Sequence, residues 1–214
     1  MRKSMWFLAP ATLLAGMCAQ VGSQEEGARP LALAAFDQVE ASSALVLVIH
    51  VGEPARGLIS GPADEIARVR VRQTGGQLSL DLGKGWDLKG EIRVELWTPA
   101  LKELELSGAT RAEVTGLQDG TLGLDISGAS RASLAGQLEG LDLELSGAAA
   151  LEARDCPAQR ADVELSGASR ARITVRKELS AECSGASSLE YWGRPVLKSM
   201  DSTGASTVKS RDGN

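Results

Sequence analysis

The sequence predicts an all-β fold, a parallel β-helix (solenoid) made of repeats of about 19 residues. A Ser-Gly-Ala tripeptide recurs five times in the second half of the chain, followed by a sixth copy that reads Thr-Gly-Ala. The first residues of successive copies are 20, 19, 20, 18 and 19 positions apart. So regular a period is typical of solenoids, in which each coil buries its apolar face only by stacking on a neighbour. The copies begin at Ser107, Ser127, Ser146, Ser166, Ser184 and Thr203.

Each tripeptide lies between two segments in which apolar and polar residues alternate. Around Ser146, for example, Leu143 and Leu145 come before the tripeptide, and Leu151 and Ala153 come after it. This alternation predicts half-buried strands whose inward faces share one core. Glycine permits the backbone conformation of a sharp corner, and the alanine beside it is expected to pack inside the bend. We therefore interpret as structural corner residues Ser107, Gly108, Ser127, Gly128, Ser146, Gly147, Ser166, Gly167, Ser184, Gly185 and Gly204.

The segment before the repeats, residues 36–99, lacks the tripeptide but is also predicted to form strands. Residues 44–51 form an apolar run, residues 66–71, 78–82 and 92–96 alternate, and no segment has a helical period. Because 43% of the chain is hydrophobic and only 3% is aromatic, the core must be aliphatic. The predicted organisation is a signal peptide at 1–23, a linker at 24–35, a β-helix domain at 36–208 and a tail at 209–214.

The first residues indicate export. Arg2 and Lys3 precede a short apolar run, and small residues follow at Val21-Gly22-Ser23, which is the pattern of a cleaved secretory signal. The run is too short to remain as a transmembrane anchor. A lipoprotein signal ending at Cys18 is the less favoured alternative, because Met17 fits poorly beside a lipidated cysteine. Without Arg2 and Lys3, 21 of the 23 basic residues remain against 28 acidic ones, and this net charge of −7 argues against nucleic acid as a partner.

Several segments together resemble the head GIN domain family of auto-transporter adhesins. They are Phe36-Asp37-Gln38-Val39-Glu40, the run from Trp97 to Leu104, the Leu-Ser-Gly-Ala corners, and Tyr191-Trp192-Gly193-Arg194-Pro195. The resemblance spans residues 36–208 and implies a right-handed parallel β-helix, an exported protein and a role in adhesion or surface binding. It supplies no catalytic residues. The last repeat departs from the pattern at Ser202-Thr203, so its coil is expected to be frayed or to act as a cap.

The sequence offers no convincing catalytic or cofactor site. His50 is the only histidine, and the tripeptide lacks both the preceding glycine and the base that a nucleophile elbow needs. Cys183 occupies a core position of its repeat and Cys156 precedes Pro157, so a disulfide between them is open but is not the default. We therefore expect a protein that is not an enzyme and has no cofactor, with Ca²⁺ as the one exception to consider.

An acidic residue stands two positions before each Ser or Thr of the repeat. Stacked coils would place these carboxylates one above another on the outer face, where like charges oppose one another by about 1 kcal/mol per neighbouring pair. We favour partial neutralisation by Arg111, Arg131 and Arg170, together with solvation. The alternative is a strip that binds Ca²⁺ through carboxylate oxygens. Its members are Glu105, Asp125, Glu144, Glu164, Glu182 and Asp201.

Three functions remain open from the sequence. The favoured one is an exported adhesion or surface-binding module in the periplasm, on the outer membrane surface or outside the cell, with a cell-surface glycan or an envelope protein as its partner. The others are a polysaccharide-active enzyme that uses the acidic strip and a purely structural envelope protein. Trp86, Trp97 and Trp192 are candidates for stacking on sugars, although we favour a role in covering the core. Strand edges at the two ends leave oligomerisation open.

Overall fold

The computed structural model describes residues 26–83 and 90–212. It is 65% strand and 2% helix, and forms a β-solenoid of about five turns. The signal peptide, Cys18 and Trp86 lie outside the described residues. The elements are β1 (Glu26–Leu31), β2 (Gln38–Ala41), β3 (Leu45–Val51), β4 (Arg56–Pro62), α1 (Ala63–Ile66), β5 (Arg70–Thr74), β6 (Gln77–Asp81), β7 (Ile92–Thr98), β8 (Glu103–Leu106), β9 (Arg111–Leu117), β10 (Thr121–Ile126), β11 (Arg131–Gly136), β12 (Leu138–Leu145), β13 (Ala150–Leu165), β14 (Arg170–Cys183), β15 (Ser188–Trp192), β16 (Val196–Ser202) and β17 (Thr207–Ser210).

Parallel pairing builds two faces around one core. The first face runs β6-β2-β8-β10-β12-β13-β14-β16. The second runs β7-β3-β9-β11-β13-β14-β15-β17. The long strands β13 and β14 belong to both faces, since each bends from the second face onto the first. Inward residues of both faces are aliphatic and almost fully buried, as the alternation predicts.

The coils are not stacked in chain order at the N-terminal end. Strand β2 lies between β6 and β8, and β3 lies between β7 and β9. The coil formed by β2 and β3 is thus inserted between two coils that follow it in sequence. From β8 onwards, each coil stacks on the one before it.

The segment predicted as a linker at 24–35 forms a strand over half of its length, at Glu26–Leu31. Strand β1 pairs antiparallel with β4, which pairs antiparallel with β7 and so extends the second face. Leu31 and Leu33 pack against the core, and the Arg29 guanidinium donates to the Val69 carbonyl oxygen at 2.7 Å. The polar composition of this segment reflects an edge strand with one side open to solvent.

The strand predicted at 66–71 is also wrong. Residues Ala63–Ile66 form a four-residue helix after Pro62, and β5 begins only at Arg70 and pairs antiparallel with β6. Ile66 and Val69 are both buried, and their spacing of three residues suits a helical turn. The alternation of apolar and polar residues in this segment made the helical turn look like a strand in the sequence. The predicted tail also begins too early, because β17 continues to Ser210 and the Arg211 amide donates to the Tyr191 carbonyl oxygen at 2.8 Å.

The corner glycines adopt a left-handed backbone, with φ between +69° and +76°. Successive corners are bonded directly, for instance from the Ala168 amide to the Gly147 carbonyl oxygen at 2.7 Å. A Cβ added at Gly167 would stand 2.6 Å from that same oxygen. Glycine is therefore required both by the turn and by the close approach of the next coil.

The alanine of the tripeptide does not pack inside the bend. It is exposed, and the residue after it points inward, because the left-handed glycine redirects the chain. Among these inward residues, Thr110 donates to the carbonyl oxygens of Ser107 and Ser43 at 2.9 and 3.0 Å. A small residue lines the bend at Thr110, Ser130, Ala149, Ser169 and Ser187.

Both cysteines in the described region are free and buried, at 1% exposure for Cys156 and 3% for Cys183. Burial raises the pKa of the Cys156 thiol to about 11. Cys183 fills the inward position that Leu165 fills one coil earlier. Both side chains therefore contribute to the core as small apolar groups.

Candidate functional site: an acidic face

The strand register brings all six predicted acidic residues into one outward column. Glu105 pairs with Asp125, which pairs with Glu144, and the series continues through Glu164 and Glu182 to Asp201. All six side chains are exposed on the first face. Neighbouring strands of a sheet are about 4.8 Å apart, so each carboxylate has another of the same charge on the next coil.

The column contains a seventh member that sequence reasoning missed. Glu40 pairs with Glu105, and it accepts a hydrogen bond of 2.9 Å from the Ser79 hydroxyl on the far side. The repeat was concealed because Ser43 takes the place of the corner glycine, with φ +85°. The repeat was nevertheless recognisable in the sequence, since residues 39–44 match residues 104–109 in residue type at all positions except 43. We call Glu40, Glu105, Asp125, Glu144, Glu164, Glu182 and Asp201 the acidic column.

A second outward row adds further carboxylates on the same face. Glu103, Asp142 and Asp162 lie two residues before column members on their strands, and Asp142 and Asp162 are paired in register. Glu103 is paired in register with Gly123 of β10, which has no side chain. The middle of the first face thus carries two adjoining rows of negative charge.

The proposed neutralisation by arginines is not what the structure shows. Arg111, Arg131 and Arg170 lie on the second face, where Arg111 and Arg131 are paired with each other. Within residues 26–83 and 90–212, no ion pair includes any member of the acidic column. The pKa of Glu105 is raised, first by partial burial and then by the charges of Glu103, Glu40 and Asp125.

The second face shows how the same fold neutralises stacked charges. There, Arg172 lies between Glu152 and Glu190, at 3.3 and 3.0 Å, and Arg211 pairs with Glu190 from the next coil. Hydrogen bonds from Arg211 and Arg172 hold the pKa of Glu190 below its usual value. Acidic and basic side chains can therefore alternate from coil to coil in this solenoid. Along the acidic column, the described residues show no such alternation.

The other candidate residues do not join the acidic face. His50 lies on the second face, stacked on Trp97 with ring centroids 5.2 Å apart, and its Nδ1 is 3.3 Å from the Thr115 hydroxyl. The Arg56 guanidinium also lies over the Trp97 ring, at 4.2 Å from its centroid. Trp192 has Arg154 over its ring at 5.4 Å. Both described tryptophans therefore project outward and already contact cationic side chains, and they do not cover the core.

Residues 26–83 and 90–212 contain neither a metal-binding cluster nor a membrane-spanning helix. No group of three or more His, Cys, Asp or Glu side chains there is arranged to hold a metal ion. In the same ranges, no helix has the length and hydrophobicity needed to cross a bilayer.

The fold and the acidic face define a β-solenoid with an extended, charged surface. The chain belongs to the family described as "Putative auto-transporter adhesin, head GIN domain", whose sequence model matches residues 35–195. This confirms the resemblance that the corner motifs indicated. No curated protein matches the sequence.

Solved structures share this fold at low sequence identity. A "putative adhesin" from Bacteroides fragilis is 18% identical, with a TM-score of 0.69 over 88% of this chain and 98% of that one. A "putative adhesin" from Parabacteroides distasonis is 11% identical, with a TM-score of 0.54 over 88% and 98% of the two chains. A "Putative lipid binding protein" from the same species is also 11% identical, with a TM-score of 0.50 and the same coverage.

Proposed function

We propose that this chain is an exported, non-catalytic adhesion module of the bacterial envelope that binds its partner through the acidic column. Membership of the adhesin family supports the class of function. The signal-like start of the sequence supports export, and the usual hand of parallel strand connections supports right-handed winding.

The observation that carries the proposal is the contrast between the two faces. Stacked charges on the second face are interleaved with partners, whereas the acidic column is uniform over seven strands of the first face and has no ion pair within the described residues. A repeating like-charge row opposes folding, and its cost is offset when a positively charged partner binds along it. A surface of this kind favours an extended partner over a small molecule.

Divalent cations are the partner chemistry we favour for this column. Ca²⁺ takes six to eight oxygen ligands at about 2.3–2.6 Å, and two carboxylates from adjacent coils would supply only part of that set. An acidic glycan on a cell surface would complete it, with the cation bridging the two anions. This arrangement explains how a negatively charged solenoid would hold a negatively charged polysaccharide.

The test is binding of the purified protein to an array of bacterial and host glycans, with millimolar Ca²⁺ and with EDTA. Selective, saturable binding to acidic glycans that EDTA abolishes is the expected result, together with a higher Tm in Ca²⁺. Changing Glu144 and Glu164 together to Gln removes two adjacent negative charges and keeps the size and shape of the side chains. This variant should no longer bind the acidic glycans.

A matched control keeps the same change in net charge. Glu113→Gln with Asp155→Asn alters two exposed acids outside the acidic column, and it should bind as the unaltered protein does. Equal binding by both double variants would overturn the acidic column as the site. Release of shortened glycan products would overturn the non-catalytic role and restore the polysaccharide-active enzyme. Absence of binding in both buffers would favour an envelope protein as the partner, or a purely structural role.

A further inference from the structure

Three exposed arginines lie close together on the second face, in the outward row that follows the corners. Arg111 of β9 and Arg131 of β11 are paired in register, and Val46 of β3 separates Arg111 from Arg93 of β7. Since neighbouring strands are about 4.8 Å apart, the backbone positions of these arginines span only about 14 Å. Their long side chains can therefore reach a single ligand above Val46.

A cavity of about 290 Å³ lies among these arginines and has an apolar floor. Val46 and Val48 form the floor, and Val48 is only 5% exposed although the alternation of β3 turns it outward. Three arginines and one glutamate contribute the charged side chains of its lining, which gives a formal charge of +2. We call this site the basic cleft and define it by Val46, Val48, Arg93, Arg111, Glu113 and Arg131.

Two of the three arginines have no counter-ion in the described part of the chain. Within residues 26–83 and 90–212, neither Arg111 nor Arg131 forms an ion pair, although Glu113 lies two residues from Arg111 on the same side of β9. Arg93 does form one, with its Nε 3.0 Å from Oε1 of Glu95. Two stacked guanidinium groups beside the cavity are thus free to bind an anion.

We propose that the basic cleft binds a phosphate monoester. Arginine presents paired N–H donors that match phosphate oxygens. A tetrahedral dianion has enough oxygens to be shared by guanidinium groups from different strands, whereas one arginine can satisfy both oxygens of a carboxylate. The apolar floor suits the carbon atoms that carry the phosphate. The cleft lies on the second face and needs no cation, so it does not depend on the adhesion proposal.

The test is an NMR titration of the purified protein with glycerol 3-phosphate in EDTA. We expect saturable shifts of amide signals in β3, β9 and β11. Arg111→Gln and Arg131→Gln should each weaken binding about tenfold, because each removes charge-assisted hydrogen bonds to the phosphate. Arg170→Gln is the matched control, since Arg170 is exposed in the same row but lies between Ala150 and Ser188. Equal weakening by all three variants would overturn the cleft in favour of general electrostatic attraction.

A further variant fills the basic cleft without changing its charge. Val46→Phe keeps a residue that favours strands, so it should abolish the saturable shifts and leave the Tm nearly unchanged. Binding by Val46→Phe with unaltered affinity would place the ligand elsewhere and overturn the proposal, as would failure of glycerol 3-phosphate to saturate the unaltered protein. The double change of Glu144 and Glu164 to Gln should leave phosphate binding intact, which separates this site from the acidic column.

Vesicles distinguish the two sources of such a phosphate. Sedimentation with phosphatidylcholine vesicles that contain phosphatidic acid, reversed by glycerol 3-phosphate, would support the basic cleft and identify a lipid headgroup as its ligand. Binding of glycerol 3-phosphate without sedimentation on these vesicles would support the cleft and identify a water-soluble ester. Sedimentation that Arg111→Gln does not reduce would count against the cleft as the contact with lipid.

Discussion

Single corner residues determine how closely the coils can approach. The corner glycine provides a positive φ, and the absence of its side chain lets the carbonyl oxygen of the preceding corner accept a hydrogen bond from the next residue. Ser43 shows that the turn itself tolerates another residue, at φ +85°, at the start of this stack of corners. Where a further glycine corner lies directly below, no room for a Cβ remains.

The first prediction concerns Gly167. Gly167→Ala should reduce the free energy of unfolding by about 2 kcal/mol or more, since the alanine must adopt a left-handed backbone against a carbonyl oxygen 2.6 Å away. Urea unfolding measures this change. Gly123→Ala is the control, because Gly123 has no positive φ and its added Cβ would stand 3.6 Å from the nearest atom. A loss of stability as large at Gly123 as at Gly167 would contradict the explanation.

At the scale of strands and faces, charge patterning distinguishes two otherwise similar faces. Ionised Glu105 opposes folding, because its raised pKa means that the folded protein holds the proton more tightly than the unfolded chain. This penalty exists above the folded-state pKa and disappears as the pH falls below the ordinary value of 4.5. Glu190 behaves in the opposite way: its lowered pKa stabilises the fold above pH 4.5, and this contribution is lost as the pH falls through the folded-state value.

The second prediction uses these two glutamates as a matched pair. Glu105→Gln should raise the Tm at pH 7, and the gain should vanish below the ordinary pKa. Glu190→Gln should lower the Tm at pH 7, because it breaks the pairing with Arg172 and Arg211. Thermal unfolding monitored by circular dichroism between pH 3 and 8 gives both profiles, and added salt should shrink both effects. A lower Tm for Glu105→Gln at pH 7 would show that the acidic column is neutralised in the free protein.

The elements that repeat regularly were predictable from the sequence, and the elements at the N-terminal end were only partly so. From Leu104 onwards, alternation and a fixed corner determine strands, register and the outward position of Glu144 or Glu164. The strand at Leu45–Val51 was predicted, but the coil at Gln38–Val51 was not recognised as a repeat because Ser43 replaces the corner glycine. The edge strand Glu26–Leu31 and the helix Ala63–Ile66 were missed for a different reason: their conformations depend on packing against distant strands, which local periodicity does not report.

The charge of the acidic column was predictable from the sequence, but the absence of ion pairs along it, among the residues described, depends on which face the arginines occupy.

At the scale of the whole molecule, stability is expected to fall towards the C-terminal end. The central coils are enclosed on both sides, whereas β16 has almost no buried side chain. In solenoids each coil is stabilised by its neighbours alone, so a terminal coil opens most easily.

The third prediction follows from this gradient. Amides of β16 and β17 should exchange with solvent fastest, and amides of β12–β14 slowest, near the rate set by global unfolding. Hydrogen exchange measured by mass spectrometry gives these rates. Exchange in β16 and β17 that is as slow as in β12–β14 would contradict the gradient.

The inserted position of the β2–β3 coil has a consequence for the order in which the molecule assembles. Its partners on the first face, β6 and β8, begin 39 and 65 residues later in the chain, whereas the regular coils meet a partner after about one repeat. Strand β2 therefore cannot complete its pairing on the first face until the chain has been synthesised as far as Leu106. Nucleation is expected among the regular coils, with the N-terminal coil added as a late step. The acidic column would thus be completed from its middle outwards, and Glu40 would be the last carboxylate to take its place beside Glu105.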